Sequence, residues 1–162
     1  MRIETVAIIG KGAVGLLHGS KIAQAIGRER LQYVMDDNRY LRHRDDQTLI
    51  NGTEQDFITI PASKAKPVDL VILAVKATGL EEAIDCMGNL VGPETRIISL
   101  LNGVTSEEHI GQTFGPGKIL YCVAQGMDAV REDNRLTYTQ AGKLYLGLPE
   151  EDYFDRGEKL DA

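Results

Sequence analysis

Three short, largely apolar runs divide the first hundred positions: Val6-Ala7-Ile8-Ile9, Val68 to Lys76 with Asp69 near its start, and Arg96 to Leu101 with Ser99 inside it. Near-continuous apolar runs of this length, rich in branched residues, predict parallel strands covered on both faces. Between them the spacing becomes helical. Gly15, Gly19, Ile22 and Ile26 fall on one face of a first helix, which Gly27 closes. Leu80, Ala83, Ile84, Met87 and Leu90 form one stripe over 80–90, and Gly92-Pro93 breaks it. Leu31 to Met35 reads as a second strand. Asn38 is the expected N-cap of a short helix over 39–44. Leu49-Ile50 and Phe57 to Ile60 are expected to pair as a hairpin around Asn51-Gly52, a favoured two-residue turn. A helix over 105–113 and a strand over 119–124 follow.

The periodicity then changes. Residues 135–140 and 143–148 alternate in polarity and predict two antiparallel strands around Ala141-Gly142. Pro149 to Asp152 is an acidic break, and 153–162 reads as the start of a helix. Strand–helix repeats imply a doubly wound, mostly parallel sheet of Rossmann type. The antiparallel pair at the C-terminal end completes this α/β fold class.

The first strand runs into Gly10-Lys11-Gly12-Ala13-Val14-Gly15, a G-x-G-x-x-G turn that opens the first helix. Gly10 permits the tight turn and Gly12 leaves room for a pyrophosphate. Gly15 lets the helix lie close to the strand. The helix N-terminus presents unpaired N–H groups to the phosphates.

Composition narrows the class. The 162 residues are 43% hydrophobic and 26% charged, which suits a globular domain. The net charge of −6 comes with no basic block, which argues against nucleic acid or an anionic membrane as partner. No apolar run reaches the roughly 20 residues that span a bilayer. The first strand starts too early to leave room for a signal peptide, so a cytoplasmic location is expected. Cys86 and Cys122 have no C-x-x-C spacing and read as reduced core thiols. His18, His43 and His109 lack metal-ligand spacing and read as helix-face residues. Zinc, Ser-His-Asp and P-loop signatures are absent from the sequence.

Parallel sheets bind ligands beyond the C-terminal ends of their strands. Four places qualify: the glycine turn, Asp36-Asp37, Lys76 and Asn102-Gly103. Asp36 stands where an acid can bind the adenosine ribose hydroxyls and repel a 2′-phosphate, which favours NAD over NADP; the alternative is a solvated acidic turn. Arg39, Arg42 and Arg44 are either an exposed helix face or a source of 2′-phosphate contacts. Lys76 either meets the cofactor or snorkels from its strand end. Asn102 offers a donor and an acceptor to a nicotinamide ribose or a substrate carbonyl. On residue type alone, Asn-Gly reads as a turn.

GKGAVG, VILAVKAT and SLLNGV, in this order, resemble the N-terminal domain of the ketopantoate reductase (2-dehydropantoate 2-reductase) family. LINGTE and TQAGKLYLGLPE are similar to the family's corresponding segments, so the resemblance runs to about residue 150. It implies a reductase of a 2-keto acid that uses NADPH, on the route to pantothenate and coenzyme A. It also implies that Gly10 to Gly15 hold the pyrophosphate and that Lys76 and Asn102 line the cofactor and substrate cleft. Residues 125–130 would pass near the nicotinamide. Two departures stand out. Asp36 occupies the place of the family's usual arginine, which favours NADH. The family's catalytic lysine and acidic substrate-binding residue belong to a following helical domain.

Residues 1–150 are therefore expected to be an NAD(P)-binding domain and 151–162 the start of a truncated helical one. The fragment alone is expected to turn over little. Any homodimer would run through the second domain. Two alternatives are a non-catalytic dinucleotide-binding sensor and a reductase of another 2-keto acid.

Overall fold

The computed structural model describes residues 2–102 and 105–147. In chain order the elements begin with β1 (Val6–Ile9), α1 (Ala13–Ile26), β2 (Leu31–Met35) and α2 (Asp37–His43). Three short strands follow, β3 (Thr48–Ile50), β4 (Thr53–Gln55) and β5 (Ile58–Pro61). Next come β6 (Leu70–Leu73), α3 (Leu80–Cys86), β7 (Arg96–Ser99) and α4 (Thr105–Phe114). The described chain ends with β8 (Ile119–Met127), β9 (Val130–Glu132), β10 (Arg135–Thr137) and β11 (Ala141–Gly147).

Seven strands form the central sheet in the order β11-β8-β7-β6-β1-β2-β5. Every neighbouring pair is parallel except β8 with β11. The strand alternation explains why β1 is apolar throughout. Ala7 and Ile9 pack on one side with Leu80, Ile84 and Met87 of the α3 region and Ile110 of α4. Val6 and Ile8 pack on the other with Leu16 and Leu17 of α1, Tyr33 and Leu136. Burying each large apolar side chain stabilises the fold by about 1.5–3 kcal/mol. The mostly parallel α/β architecture expected from the sequence is the one observed.

Local expectations changed where pairing is non-local. Asp36, not Asn38, caps α2, and its carboxylate accepts from the Arg39 N–H at 2.8 Å. Asp and Asn cap about equally well, and the first such residue after the strand takes the position. The Asn51-Gly52 turn does make a hairpin, with positive φ at both residues. Its second strand is β4, because a two-residue turn pairs Ile50 with Thr53 at once. Residues 57–60 lie too far along for that. As β5, this stretch instead runs parallel to β2 at the sheet edge, where Pro61 costs no ladder hydrogen bond.

The strand expected over 135–140 forms only over Arg135–Thr137, and the one expected over 143–148 lies within β11 as far as the described residues reach; the two do not pair with each other. β10 pairs with β9 and, in parallel, with β3, completing a second sheet ordered β4-β3-β10-β9. β11 pairs antiparallel with β8, which runs three residues past the strand expected over 119–124, to Met127. Asp128 turns the chain between them, accepting from the Thr139 and Gln140 N–H groups at 2.8 Å each. The second long apolar run keeps regular pairing only over Leu70–Leu73, so Lys76 lies beyond the strand. The helix expected over 80–90 ends at Cys86, yet its whole apolar stripe stays buried. The acidic break and the helix start over 149–162 lie outside the described residues. Among the described residues, no helix is long and apolar enough to cross a membrane.

Candidate functional site

Strand register brings the predicted positions to one edge. Ile9 pairs with Val34 on one side and Leu73 on the other, and Leu73 pairs with Ser99. Gly12, Lys76 and Asn102 therefore each lie three positions past one register row, and Asp36 lies two past Val34. Parallel strands end at the same edge of the sheet, so residues from distant parts of the chain follow strand ends on that one edge.

A cleft of about 560 Å³ opens at this edge. Gly10, Lys11, Gly12, Asp36, Arg39 and Lys76 all line it. Ala13, Val14 and Gly15 form the first turn of α1 and stand outside that lining, as does Asn102. Arg39 reaches the cleft, whereas Arg42 and Arg44 do not line it. Arg44 instead pairs with Asp45 at 3.4 Å on the surface.

The glycines serve different ends. Gly10 has φ of 112°, and a Cβ there would run into the Ala74 carbonyl oxygen. A Cβ at Gly15 would strike the Gly10 carbonyl oxygen. These two are demanded by the protein itself. Gly12 is not: its nearest protein neighbour, the Ala74 carbonyl oxygen, stands 3.8 Å from where a Cβ would sit. A side chain there would fill the cleft at the start of α1. Gly12 caps that helix without a side-chain hydrogen bond, and the first turn holds no acidic residue. An open helix N-terminus at the floor of an otherwise roomy cleft fits a dinucleotide pyrophosphate.

Side chains around the turn are tied down. Tyr33 of β2 is fully buried and its hydroxyl donates to the Gly15 carbonyl at 3.0 Å. Burial pushes the Tyr33 pKa strongly upward, so it remains a neutral donor. The Lys11 ammonium lies 5.6 Å from the centre of the Tyr33 ring. Desolvation lowers the Lys11 pKa, with Asp46 opposing that shift and Arg131 adding to it. His43 and Asp46, both in the cleft lining, form a 2.8 Å pair. Cys86 also lines the cleft, and burial foremost, with Asp36 next, pushes its thiol up to about 11. That is the opposite of an activated nucleophile. Both cysteines are free thiols.

The cleft also contains residues that no spacing rule picks out. Arg131 and Asn134 arrive from the second sheet, and Thr78 follows Lys76. The Arg131 guanidinium donates to the Lys11 carbonyl, so β9 is fastened to the glycine turn. A separation of 120 residues leaves this contact without a local signal. Of the histidines, His43 reaches the cleft and His109 meets Glu81 at 3.4 Å on the surface. His18 is buried in α1.

Known structures share this architecture. The 2-dehydropantoate 2-reductase of Geobacter metallireducens superimposes with a TM-score of 0.71 at 22% identity, over 88% of this chain and 48% of that one. D-mandelate dehydrogenase, solved with NADH and anilino(oxo)acetate, gives 0.71 at 23% identity, over 94% and 52%. Among curated proteins, the 2-dehydropantoate 2-reductase of Streptococcus pyogenes serotype M6 is 24% identical over 159 residues, which are 96% of this chain and 52% of that protein. The chain thus spans about half the length of the curated relatives it matches. The family model described as ketopantoate reductase PanE/ApbA matches residues 6–151. The chain belongs to the ketopantoate reductase family.

Proposed function

We propose that this chain is the cofactor-binding half of an NAD(P)H-dependent 2-keto acid reductase of the 2-dehydropantoate 2-reductase kind, and that it prefers NADH. The observation that carries the reading is the alignment of Gly12, Lys76 and Asn102 past one register row, beside a helix N-terminus left open by Gly12.

A bound nicotinamide cofactor would supply the hydride. The chain's own groups bind and orient. The N–H groups opening α1 meet the pyrophosphate, with Gly12 giving it access. Asp36 faces the adenosine ribose. One of its oxygens caps α2, which fixes the carboxylate at the strand end. Lys76 adds positive charge to the cleft rim, and Asn102 meets the nicotinamide ribose. The family's reduction of a keto acid would further need a group that stabilises the developing alkoxide.

Fluorescence titration of NADH against NADPH tests this. NADH is expected to bind about tenfold tighter, the worth of one charge-assisted hydrogen bond to a ribose hydroxyl. Asp36→Arg should reverse the order. Tighter NADPH binding by the unaltered chain would remove the Asp36 assignment, and absence of binding by either would remove the whole reading. One neighbour favours a second substrate reading, since D-mandelate dehydrogenase was solved with NADH and anilino(oxo)acetate, which carries an aromatic ring. Comparing ketopantoate with aryl 2-keto acids, using the complete gene product, separates the two.

A further inference from the structure

Behind the turn that carries Asn102, outside the cleft, lies a row of buried polar side chains. Ser99 ends β7, and Ser106 and Glu107 stand in the first turn of α4. These three residues are 1%, 3% and 5% exposed. Polar groups are costly in such a place unless hydrogen-bonded. The Ser99 and Ser106 hydroxyls are 2.9 Å apart, and Ser106 Oγ donates to Glu107 Oε2 at 2.6 Å. The Leu101 N–H donates to Ser99 Oγ at 3.3 Å.

Proton counting gives this row a direction. A serine hydroxyl has one proton. Ser106 spends its proton on Glu107, so between the two serines Ser99 must be the donor. Ser99 is then left with lone pairs for the Leu101 N–H. Every dipole runs the same way, from the Leu101 backbone through Ser99 and Ser106 to the Glu107 carboxylate. Such aligned chains strengthen each member. The charge that polarises them is felt on β8 as well: burial first, and then Glu107, raises the Cys122 thiol pKa.

We propose that Ser99, Ser106 and Glu107 are positioning residues that set the backbone of the 99–102 turn and thereby aim Asn102 at the nicotinamide ribose. This rests on the cofactor reading above. The network touches neither the glycine turn nor Asp36, so its influence belongs to the nicotinamide end alone.

The test compares NADH with ADP, which lacks the nicotinamide and its ribose. Calorimetry on the 162-residue chain would measure both ligands for Asn102→Ala, Ser99→Ala and Ser106→Ala. NADH affinity is expected to fall about fivefold in all three, the worth of one hydrogen bond, with ADP affinity unchanged. Glu107→Gln keeps the shape and removes the charge, and it should lower the NADH-to-ADP ratio in the same direction. It therefore decides the matter if a serine variant does not fold. An unchanged ratio in the network variants, an unchanged ratio in Asn102→Ala, or a parallel fall of both ligands would overturn the proposal. Failure of the unaltered chain to bind either ligand is a separate outcome and removes the cofactor reading itself.

Discussion

The turns after β1 and β7 face the same edge of the sheet but are shaped in opposite ways. The first is made by missing side chains. Gly10 and Gly15 permit backbone approaches that any Cβ would block, and Gly12 leaves the cleft open. The second is made by side chains that are present: Ser99, Ser106 and Glu107 bind one another and the Leu101 N–H in a buried row. The difference suits what each end would meet under the function proposed above. A pyrophosphate is satisfied by backbone N–H groups, which glycine exposes. A ribose is recognised by a side chain, which has to be aimed.

The comparison breaks most visibly at Gly10. Gly10→Ala should lower stability by about 3 kcal/mol, or roughly 6–12 °C in Tm, through strain at positive φ and collision with Ala74. Thermal melting checks this, and an unchanged Tm would mean that the turn adapts. Gly12→Val should do the reverse. Nothing in the protein stands within ordinary contact of its Cβ except the Ala74 oxygen at 3.8 Å, so the melting temperature should hold. ADP and NADH should both bind at least about 30-fold more weakly, as two phosphate hydrogen bonds become blocked. A variant that melts early but still binds would refute the division of labour among the glycines. Ser99→Ala belongs between these extremes. It should cost about 1 kcal/mol in urea denaturation, because it leaves the Leu101 N–H without its acceptor.

The same contrast explains what could be read from residues alone. The glycine turn was legible because its constraints are local: strand, turn and helix adjoin within twenty positions, and the backbone requirement has a residue signature. β2 and the apolar stripe of α3 were legible through periodicity, and the C-terminal edge of a parallel sheet put Lys76 and Asn102 in view. The second sheet was not legible. β3 finds β10 across more than eighty positions, and no short alternating segment reveals its partner. Arg131 is hidden for the same reason, since its link to Lys11 exists only after that sheet forms. The Ser99–Ser106–Glu107 row escapes notice because serines and a glutamate near a helix start have an ordinary explanation as caps. Burial separates the two cases, and burial is a property of the fold.

The smallest effect expected concerns α1, the helix behind the glycine turn. Two of its polar residues are buried, His18 and Ser20. Ser20 is satisfied by donating to the Leu17 carbonyl at 2.8 Å. His18 has no partner for its Nε2 among the described residues, and burial lowers its pKa from the ordinary 6.5. A histidine whose pKa is lowered by folding binds protons more readily in the unfolded chain. Its contribution is therefore complete above the unfolded value and is lost as pH falls from about 6.5 through the folded value. Urea midpoints should drop on going from about pH 7.5 to pH 5.5, a range that spans histidine titration. His18→Leu should flatten that drop. Equal slopes in the unaltered chain and the His18 variant would place the titration elsewhere. A flattened slope would mean that the helix carrying the open N-terminus keeps its one unpartnered buried nitrogen only while the imidazole is neutral.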